Sequence, residues 1–307
     1  MVTFSMRAKC TLLSIFLSLI SLPAHAETDL RITTFNIEWF GSPVSDPRSP
    51  NPKPIDPKRL KARLLAVRDF LKTVIGARDV MIFDEIIDLN ALKAVLPPKW
   101  GCAGYNHQNR LHQKVVICAS PNYRLVNVPY DTNSVIEEVA SDNMWSRPAV
   151  RVDLADLSGN RILRIVGVHL KSAPNESRER VRQANVIARD LAQGGKVPTV
   201  ILGDFNTYPT RQTGLPKDDV TYVNTELDKA DRSFLHAGHV LPFTYRKREL
   251  RGQFDHLFYN GGVSLVQAPQ IFEVCSQTQN GSGYYDIRYY NEFVSDHCPV
   301  NVSVRVR

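Results

Sequence analysis

Val200-Ile201-Leu202-Gly203-Asp204-Phe205-Asn206 is an apolar run that breaks at a glycine and delivers a carboxylate and an amide almost side by side. A short continuous apolar stretch of this kind reads as a buried strand, which puts Asp204 and Asn206 at a strand end. A second stretch, Ser295-Asp296-His297, sets a carboxylate next to an imidazole just ahead of the apolar run Val300-Asn301-Val302. Acid, amide and imidazole at strand ends are the groups that metal-assisted attack on a phosphate ester calls for. Either stretch alone carries little weight, because Gly-Asp and Asp-His pairs also occur in ordinary turns.

The elements around them follow from periodicity. Leu30 to Ile37 alternates apolar and polar residues and predicts a strand. Asp56-Pro57 predicts a helix start, with Leu60, Leu64, Val67, Leu71 and Val74 at helical spacing behind it. Asp79 to Phe83 predicts a buried strand running into Asp84-Glu85. Val115 to Cys118 and Tyr123 to Val128 predict a hairpin turned at Pro121-Asn122, and Val150 to Leu154 with Ile162 to Leu170 a second, turned at Ser158-Gly159-Asn160. Ser177 to Gln193 predicts a helix closed by Gly194-Gly195. Strands over Thr199–Leu202, Phe254–Tyr259, Val263–Val266 and Val300–Val304 complete an α/β chain of two stacked sheets with helices outside.

The 307 residues open with a secretion signal over residues 1–26: Arg7 and Lys9, an apolar core from Leu12 to Leu22, and Ala24-His25-Ala26 as a small-residue cleavage site. The expected location is secreted or periplasmic, with no stable membrane insertion, since no run approaches the ~20 apolar residues a span requires. Residues 27–307 then read as one domain, expected to be monomeric. The formal net charge of +7 loses two positive charges with the signal and still suits a polyanionic partner. Four cysteines remain, Cys102, Cys118, Cys275 and Cys298. In an oxidising compartment they predict two disulfides, and of three connectivities sequence proximity favours Cys102–Cys118 and Cys275–Cys298.

Side-chain type assigns the chemistry. Mg²⁺ takes hard oxygen ligands and keeps several waters, so one or two carboxylates suffice. Glu85 is the leading ligand, with Asp296 and the Asn36 carbonyl beside it, and Mn²⁺ is an acceptable substitute. His297 suits the role of base, because its ordinary pKa near ~6.5 lies close to working pH. Asp255 is the carboxylate expected on its other ring nitrogen. Asp204 orients the attacking water. Asn206 and His169 donate to phosphate oxygens where charge develops, and Arg147 offers a planar fork to the phosphate.

Thr34-Phe35-Asn36-Ile37, Phe83-Asp84-Glu85-Ile86, Gly167-Val168-His169-Leu170, Gly203-Asp204-Phe205-Asn206, Phe254-Asp255-His256 and Ser295-Asp296-His297-Cys298-Pro299-Val300 together resemble the endonuclease/exonuclease/phosphatase superfamily, the deoxyribonuclease-like fold. The resemblance spans residues 30–303. It implies a four-layer α/β/β/α sandwich, divalent-metal dependence and phosphate-ester hydrolysis. Carried over motif by motif, it makes Glu85 a metal ligand, Asp204 and His297 catalytic, and Asp255 the partner of His297. Asn36, His169 and Asn206 then contact metal or phosphate. One position departs: the superfamily usually has glutamine where this chain has Asp84, an extra charge expected to alter the metal shell. Members with histidine at the His169 position often give it a carboxylate partner, for which Glu137 and Glu138 are available.

Fold alone does not choose the ester. Arg246-Lys247-Arg248 with Arg251, and Arg178, Arg180 and Arg182, are cationic clusters suited to nucleic-acid phosphates, which makes DNA the expected substrate. A phosphatase or a phospholipid or sphingomyelin phosphodiesterase is the alternative within the fold. A lipid enzyme should show an exposed apolar or aromatic loop, and only Tyr284-Tyr285 and Tyr289-Tyr290 come near one. A non-catalytic nucleic-acid-binding module is the alternative of another class, expected to have lost catalytic residues.

Overall fold

A computed structural model describes residues 27–44, 51–104, 113–126, 135–140, 146–230, 233–238, 243–247, 250–275 and 286–307. The expected signal peptide, Arg248 and Tyr284-Tyr285 lie outside the described residues.

In chain order the strands and longer helices are β1 (Thr28–Phe40), α1 (Pro57–Phe70), β2 (Val80–Ile86), α2 (Leu89–Val95), β3 (Gly101–Gly104), β4 (Lys114–Ala119), β5 (Arg124–Val126), β6 (Val135–Ile136), β7 (Ala149–Ala155), β8 (Arg161–His169) and α3 (Ser177–Gln193). They continue as β9 (Thr199–Asp204), α4 (Thr210–Thr213), α5 (Asp219–Leu227), β10 (Leu235–His236), β11 (Tyr245–Lys247), β12 (Leu250–Gly252), β13 (Asp255–Tyr259), β14 (Val263–Ile271), α6 (Ile287–Phe293) and β15 (Val300–Val306). One sheet has the order β14-β15-β1-β2-β4-β3. The other runs β10-β13-β9-β8-β7-β5, with β6 also on β7, and β11–β12 is a separate hairpin. Both sheets are mixed, because β1 and β2 pair in parallel, as do β8 and β9, while their other pairs are antiparallel.

Strand alternation builds the layers. Leu30 and Ile32 of β1, Val80 and Ile82 of β2, Leu163 and Ile165 of β8, and Val200 and Leu202 of β9 fill the space between the sheets. Their neighbours face outward. Phe35, Ile37, Met81 and Phe83 pack with Val67 and Phe70 of α1 and Tyr290 of α6, whereas Val166, Val168 and Ile201 pack with Ile187 and Leu191 of α3 and Val223 of α5. The result is the expected four-layer α/β/β/α sandwich. The start of α1 is as read from the sequence: Asp56 accepts from the Lys58 N–H at 2.9 Å and Pro57 occupies the first turn.

The sheets approach closely near the centre. A Cβ on Gly167 would stand 2.8 Å from Val115 Cγ1 in the facing sheet, and one on Gly203, at φ +145°, would stand 2.0 Å from the Val168 carbonyl oxygen. Only glycine fits there.

One expected element is overturned. Val115–Cys118 does not form a hairpin with the described part of the expected Tyr123–Val128 strand, whose last two residues lie outside the described residues: β4 pairs with β2 and β3, whereas β5 pairs with β7 in the other sheet. The turn between them closes locally, Tyr123 N–H donating to Ser120 O at 3.0 Å, and carries the chain from sheet to sheet. Both expected disulfides form, Cys102–Cys118 across the β3–β4 pair and Cys275–Cys298 beside His297.

Candidate active site

The alternation that fills the core also makes the site. Following the inward positions along each strand, Leu30 and Ile32 lead to Thr34 and Asn36, Val80 and Ile82 lead to Asp84, Leu163 and Ile165 lead to Gly167 and His169, and Val200 and Leu202 lead to Asp204. On β13, Asp255 precedes Leu257 on the same face. Each strand therefore changes from apolar to polar at the same end of the sandwich. Pairing register sets His169, Asp204 and Asp255 in one row across three strands, and Asn36 opposite Asp84 on the facing sheet.

Glu85 is the exception. Alternation after Met81 and Phe83 would send it outward toward the helices. Its φ of +61°, with a register shift between Phe83 and Ile86, turns it to the cavity instead. There its carboxylate accepts from Asn36 Nδ2 at 3.2 Å and from the Trp39 N–H at 3.2 Å.

Asn36 is the link between carboxylates: Nδ2 also donates to Asp204 Oδ2 at 3.1 Å, while Oδ1 accepts from the Glu38 N–H at 2.9 Å. Asp204 is buried, and its Oδ1 accepts from the Asn206 N–H at 2.9 Å. His169 Nε2 lies 3.4 Å from Asp204 Oδ2, and His297 Nε2 lies 3.7 Å from the same oxygen. The other nitrogen of His297, Nδ1, is 2.8 Å from Asp255 Oδ2. Tyr245 supports that imidazole edge-on, its ring centroid 4.9 Å away.

Seven of the nine residues singled out from sequence line one cavity of about 710 Å³: Glu85, Arg147, His169, Asp204, Asn206, Asp296 and His297. Asn36 and Asp255 sit behind the wall, where they hold the others in place. Asn206 has φ +49° and donates from Nδ2 to Leu170 O at 3.2 Å. Arg147 is buried and donates from Nε (2.8 Å) and Nη2 to Gln113 Oε1.

Buried charges at such spacing shift one another. Burial pushes the Asp204 carboxyl up to about 7, His297 pulling it down and Asp255 pushing it further up. Burial alone would lower the His297 imidazole, but Asp255 and Asp204 outweigh it and hold the ring well above the ordinary histidine range. His169 lies well below that range through burial, with the positive charges of Arg147 and His297 adding to the effect. Around Asp204, whose carboxyl is pushed to about 7, the site thus sets one imidazole that favours its neutral form, His169, and one that favours its charged form, His297.

Several expectations take a different form. Asp84 does not line the cavity. It is buried between the sheets, its Oδ2 accepting the Asp204 N–H at 3.0 Å, and burial, then Asp204 and Asp255, raise it well above the carboxylate range. Glu137 and Glu138 are exposed while His169 is buried, and His169 Nδ1 has no hydrogen-bond partner among the described residues. The basic clusters disperse. Arg246 is buried, Lys247 is exposed but bonds two carboxylates, Arg180 is buried against Asp219, and Arg182 pairs with Glu179; Arg178 and Arg251 are exposed. Arg251 lines the cavity, its guanidinium 5.1 Å from the centre of the Phe243 ring.

The structure adds Glu38, Trp39, Lys171, Tyr208 and Tyr245 to the cavity. Lys171 follows His169-Leu170 directly, and its place after the strand was a readable signal; Glu38 and Trp39 at the end of β1, Tyr245 at the start of β11 and Tyr208 on a loop carry no motif. Glu85 and Asp204, gathered on one amide, form a hard-oxygen donor pair that suits Mg²⁺. Among the described residues no group of three or more His, Cys, Asp and Glu converges into a ready-made metal cage, and Mg²⁺ does not need one. No described helix is long and apolar enough to cross a membrane.

A two-sheet sandwich with acids, imidazoles and an amide gathered at one end is the architecture of a phosphoester hydrolase. Residues 33–297 match the endonuclease/exonuclease/phosphatase family, and the chain belongs to it. Solved structures share the fold. Humanized TDP2 of D. rerio, carrying 14 mutations, is 14% identical, with 90% of this chain and 98% of that chain covered and a TM-score of 0.61. ANGEL2, a 2′,3′-cyclic phosphatase, is 14% identical over 91% and 95%, TM-score 0.61. The human Nocturnin catalytic domain is likewise 14% identical over 91% and 95%, TM-score 0.61. No curated protein sequence matches.

Proposed function

We propose that this chain is a secreted, divalent-metal-dependent phosphodiesterase that cleaves nucleic acid, with DNA as its main substrate. The observation that carries this reading is the placement of Asp204 Oδ2 between two imidazole nitrogens, at 3.4 and 3.7 Å, facing Glu85 across a single bridging amide. A phosphodiester centred there meets an acceptor for the proton of an attacking water and donors for its own oxygens.

Glu85 anchors the metal in this reading, with Asn36 fixing its carboxylate. A bound Mg²⁺ supplies Lewis-acid stabilisation of charge on the phosphate oxygens. The chain's residues do the rest. Asp204 and His297, which share one short approach, take the proton from water as a unit, the Asp255 carboxylate holding the imidazole in register. His297 Nδ1 is held by Asp255 and its Nε2 lies 3.7 Å from Asp204, so the base role expected of His297 is shared here with Asp204. Asn206, Arg147 and the neutral His169 face the non-bridging oxygens, where preorganised donors gain most as charge builds. Water's oxygen bonds to phosphorus as the bond to the leaving oxygen breaks opposite it, and the proton passes on to that oxygen.

Nucleic acid is favoured by the cavity's cations Arg147, Lys171 and Arg251, by the net positive charge, and by a D. rerio TDP2 structure of the same fold that is complexed with single-strand DNA product. Secretion is supported by the two disulfides. A plasmid-nicking assay, run beside inositol phosphate, sphingomyelin and phosphomonoester substrates, with Mg²⁺ and with chelator, tests the reading. Nicking that requires Mg²⁺ is expected. Turnover of a lipid or sugar phosphate with DNA left intact would overturn the substrate, and full activity in chelator would overturn the metal.

A further inference from the structure

Tyr208 lines both the catalytic cavity and an adjoining cavity of about 380 Å³, and the reaction described above does not use it. It follows Asn206-Thr207 on the loop after β9. Arg180 of α3 is fully buried behind it and donates from Nε to Asp219 Oδ2 at 3.0 Å. The same carboxylate oxygen accepts the Tyr208 N–H at 3.1 Å. Arg180 Nη1 donates to Lys171 O at 2.9 Å and Ala173 O at 2.7 Å, which fixes the turn after β8 with Ala173 at φ +85°. A buried ion pair and a non-glycine residue at positive φ both cost stability. Here both surround one tyrosine.

The same contacts decide which part of Tyr208 meets a ligand. The Arg180 guanidinium lies 5.0 Å over the ring and the Phe254 ring centre is 5.0 Å away, so protein groups already pack against the ring. The hydroxyl remains. Among the described residues nothing accepts its proton, and its oxygen is open to the cavity. Burial and the charge of Asp204 raise the phenol above its ordinary range, with the Ala173 N–H acting against them, so the group is a donor at working pH.

Asp204 lies in the catalytic cavity alone, whereas Tyr208, Gln212 and Arg251 are shared with the second cavity, which also contains Arg211. A chain of phosphodiesters centred on Asp204 and entering the second cavity therefore crosses the Tyr208 hydroxyl. The reacting phosphate already has Asn206, Arg147 and His169 as donors. We propose that Tyr208 binds the phosphate next to the reacting one, its hydroxyl donating to a non-bridging oxygen, so that the site selects a polymeric phosphodiester over a single ester.

This role rests on the nucleic-acid reading above, and the choice of substrates keeps the two apart. Full-length wild type and Tyr208→Phe are compared in Mg²⁺ on single-stranded decathymidylate, which offers flanking phosphates, and on the thymidine dinucleotide, whose one phosphodiester has no neighbour. Circular dichroism checks folding. A hydrogen bond to a charged oxygen is worth about tenfold in binding or more, so the decathymidylate KM should rise about tenfold in Tyr208→Phe. The flanking phosphate is held alike before and during reaction, so kcat should stay within about twofold of wild type. The dinucleotide KM, or its inhibition constant against decathymidylate where turnover is too slow, should not change. An unchanged KM on decathymidylate overturns the role. A fall in kcat, or an equal loss on both substrates, places Tyr208 on the reacting phosphate and overturns it as well. Wild type that leaves both substrates intact overturns the nucleic-acid reading itself. If Tyr208→Phe does not fold, Tyr208→Met takes its place with the same expectations.

Discussion

At the scale of the residue, what sets this site apart is how few groups face solvent unassisted. His297 is oriented by Asp255, Glu85 by Asn36, and Asp204 by Asn36, Asn206 and the carboxyl of Asp84. Removing either member of the His297–Asp255 pair disables the same acid–base function. Asp255→Asn and His297→Gln should each lower the single-turnover rate by about 10²–10⁴-fold. Their double variant should fall little further than the worse single variant, and losses that multiply would show two independent groups. Asp84 carries a different expectation. Burial pushes its carboxyl well above the ordinary carboxylate range, so Asp84→Asn, a neutral group of the same shape, should leave unfolding free energy and turnover close to wild type. Asp84→Leu leaves the Asp204 N–H without its acceptor inside the core and should cost about 1–3 kcal/mol, read from urea unfolding. A wild-type-like Leu variant, or a strongly destabilised Asn variant, would show that Asp84 is held as a charge.

At the scale of the element, the strands were legible because their alternation is strict, and the site because it continues that alternation into polar residues. Asp204 is the next inward position after a pair of aliphatic residues, and Asn36 and His169 follow one position further on, after Thr34 and Gly167. What alternation does not specify is partnership: β4 and β5 both carry strand patterns, yet nothing in them says that they join different sheets. The Gly101-Cys102-Ala103-Gly104 strand was invisible, since a glycine-bounded tetrapeptide has no period. The orientation of Glu85 depends on one positive φ, and the seat of Lys247 on two acids 49 and 209 residues away. The cysteines were readable by spacing, and the Cys275–Cys298 bridge ties the His297 segment to the chain 23 residues before it. A loop of that size is worth about 3 kcal/mol in the chain-entropy account. The Cys275→Ala, Cys298→Ala double variant should lose roughly that much stability and lose turnover as well, because His297 adjoins the bridge. Chemical denaturation beside steady-state kinetics checks both, and unchanged values would show the segment to be held by β11 and Tyr290 alone.

At the scale of the whole molecule, the net positive charge does not act as the patches suggested by the sequence. Arg180 and Arg182 are spent on Asp219 and Glu179, Arg246 is buried and Lys247 is engaged within the cavity. The charge left for a polyanion lies along a continuous depression, where the catalytic cavity and an adjoining one of about 380 Å³ share Tyr208, Gln212 and Arg251, with Arg211 in the second. If this is the path of a nucleic-acid strand, Arg251 and Arg211 neutralise phosphates on one side of the cleavage point. Each phosphate left without its cation should flatten the log–log dependence of binding on salt by about one unit. Arg251→Gln with Arg211→Gln should therefore reduce the slope by about two, weaken binding to all sequences alike, and change turnover at saturating substrate far less. Arg178→Gln, an exposed cation of the other cluster that lines neither cavity, should leave the slope unchanged. An unaltered slope in the double variant, or an equal decrease in Arg178→Gln, would remove the depression as the strand's path, and a substrate that shows no salt dependence in wild type would point to a small ester carrying only one or two charges.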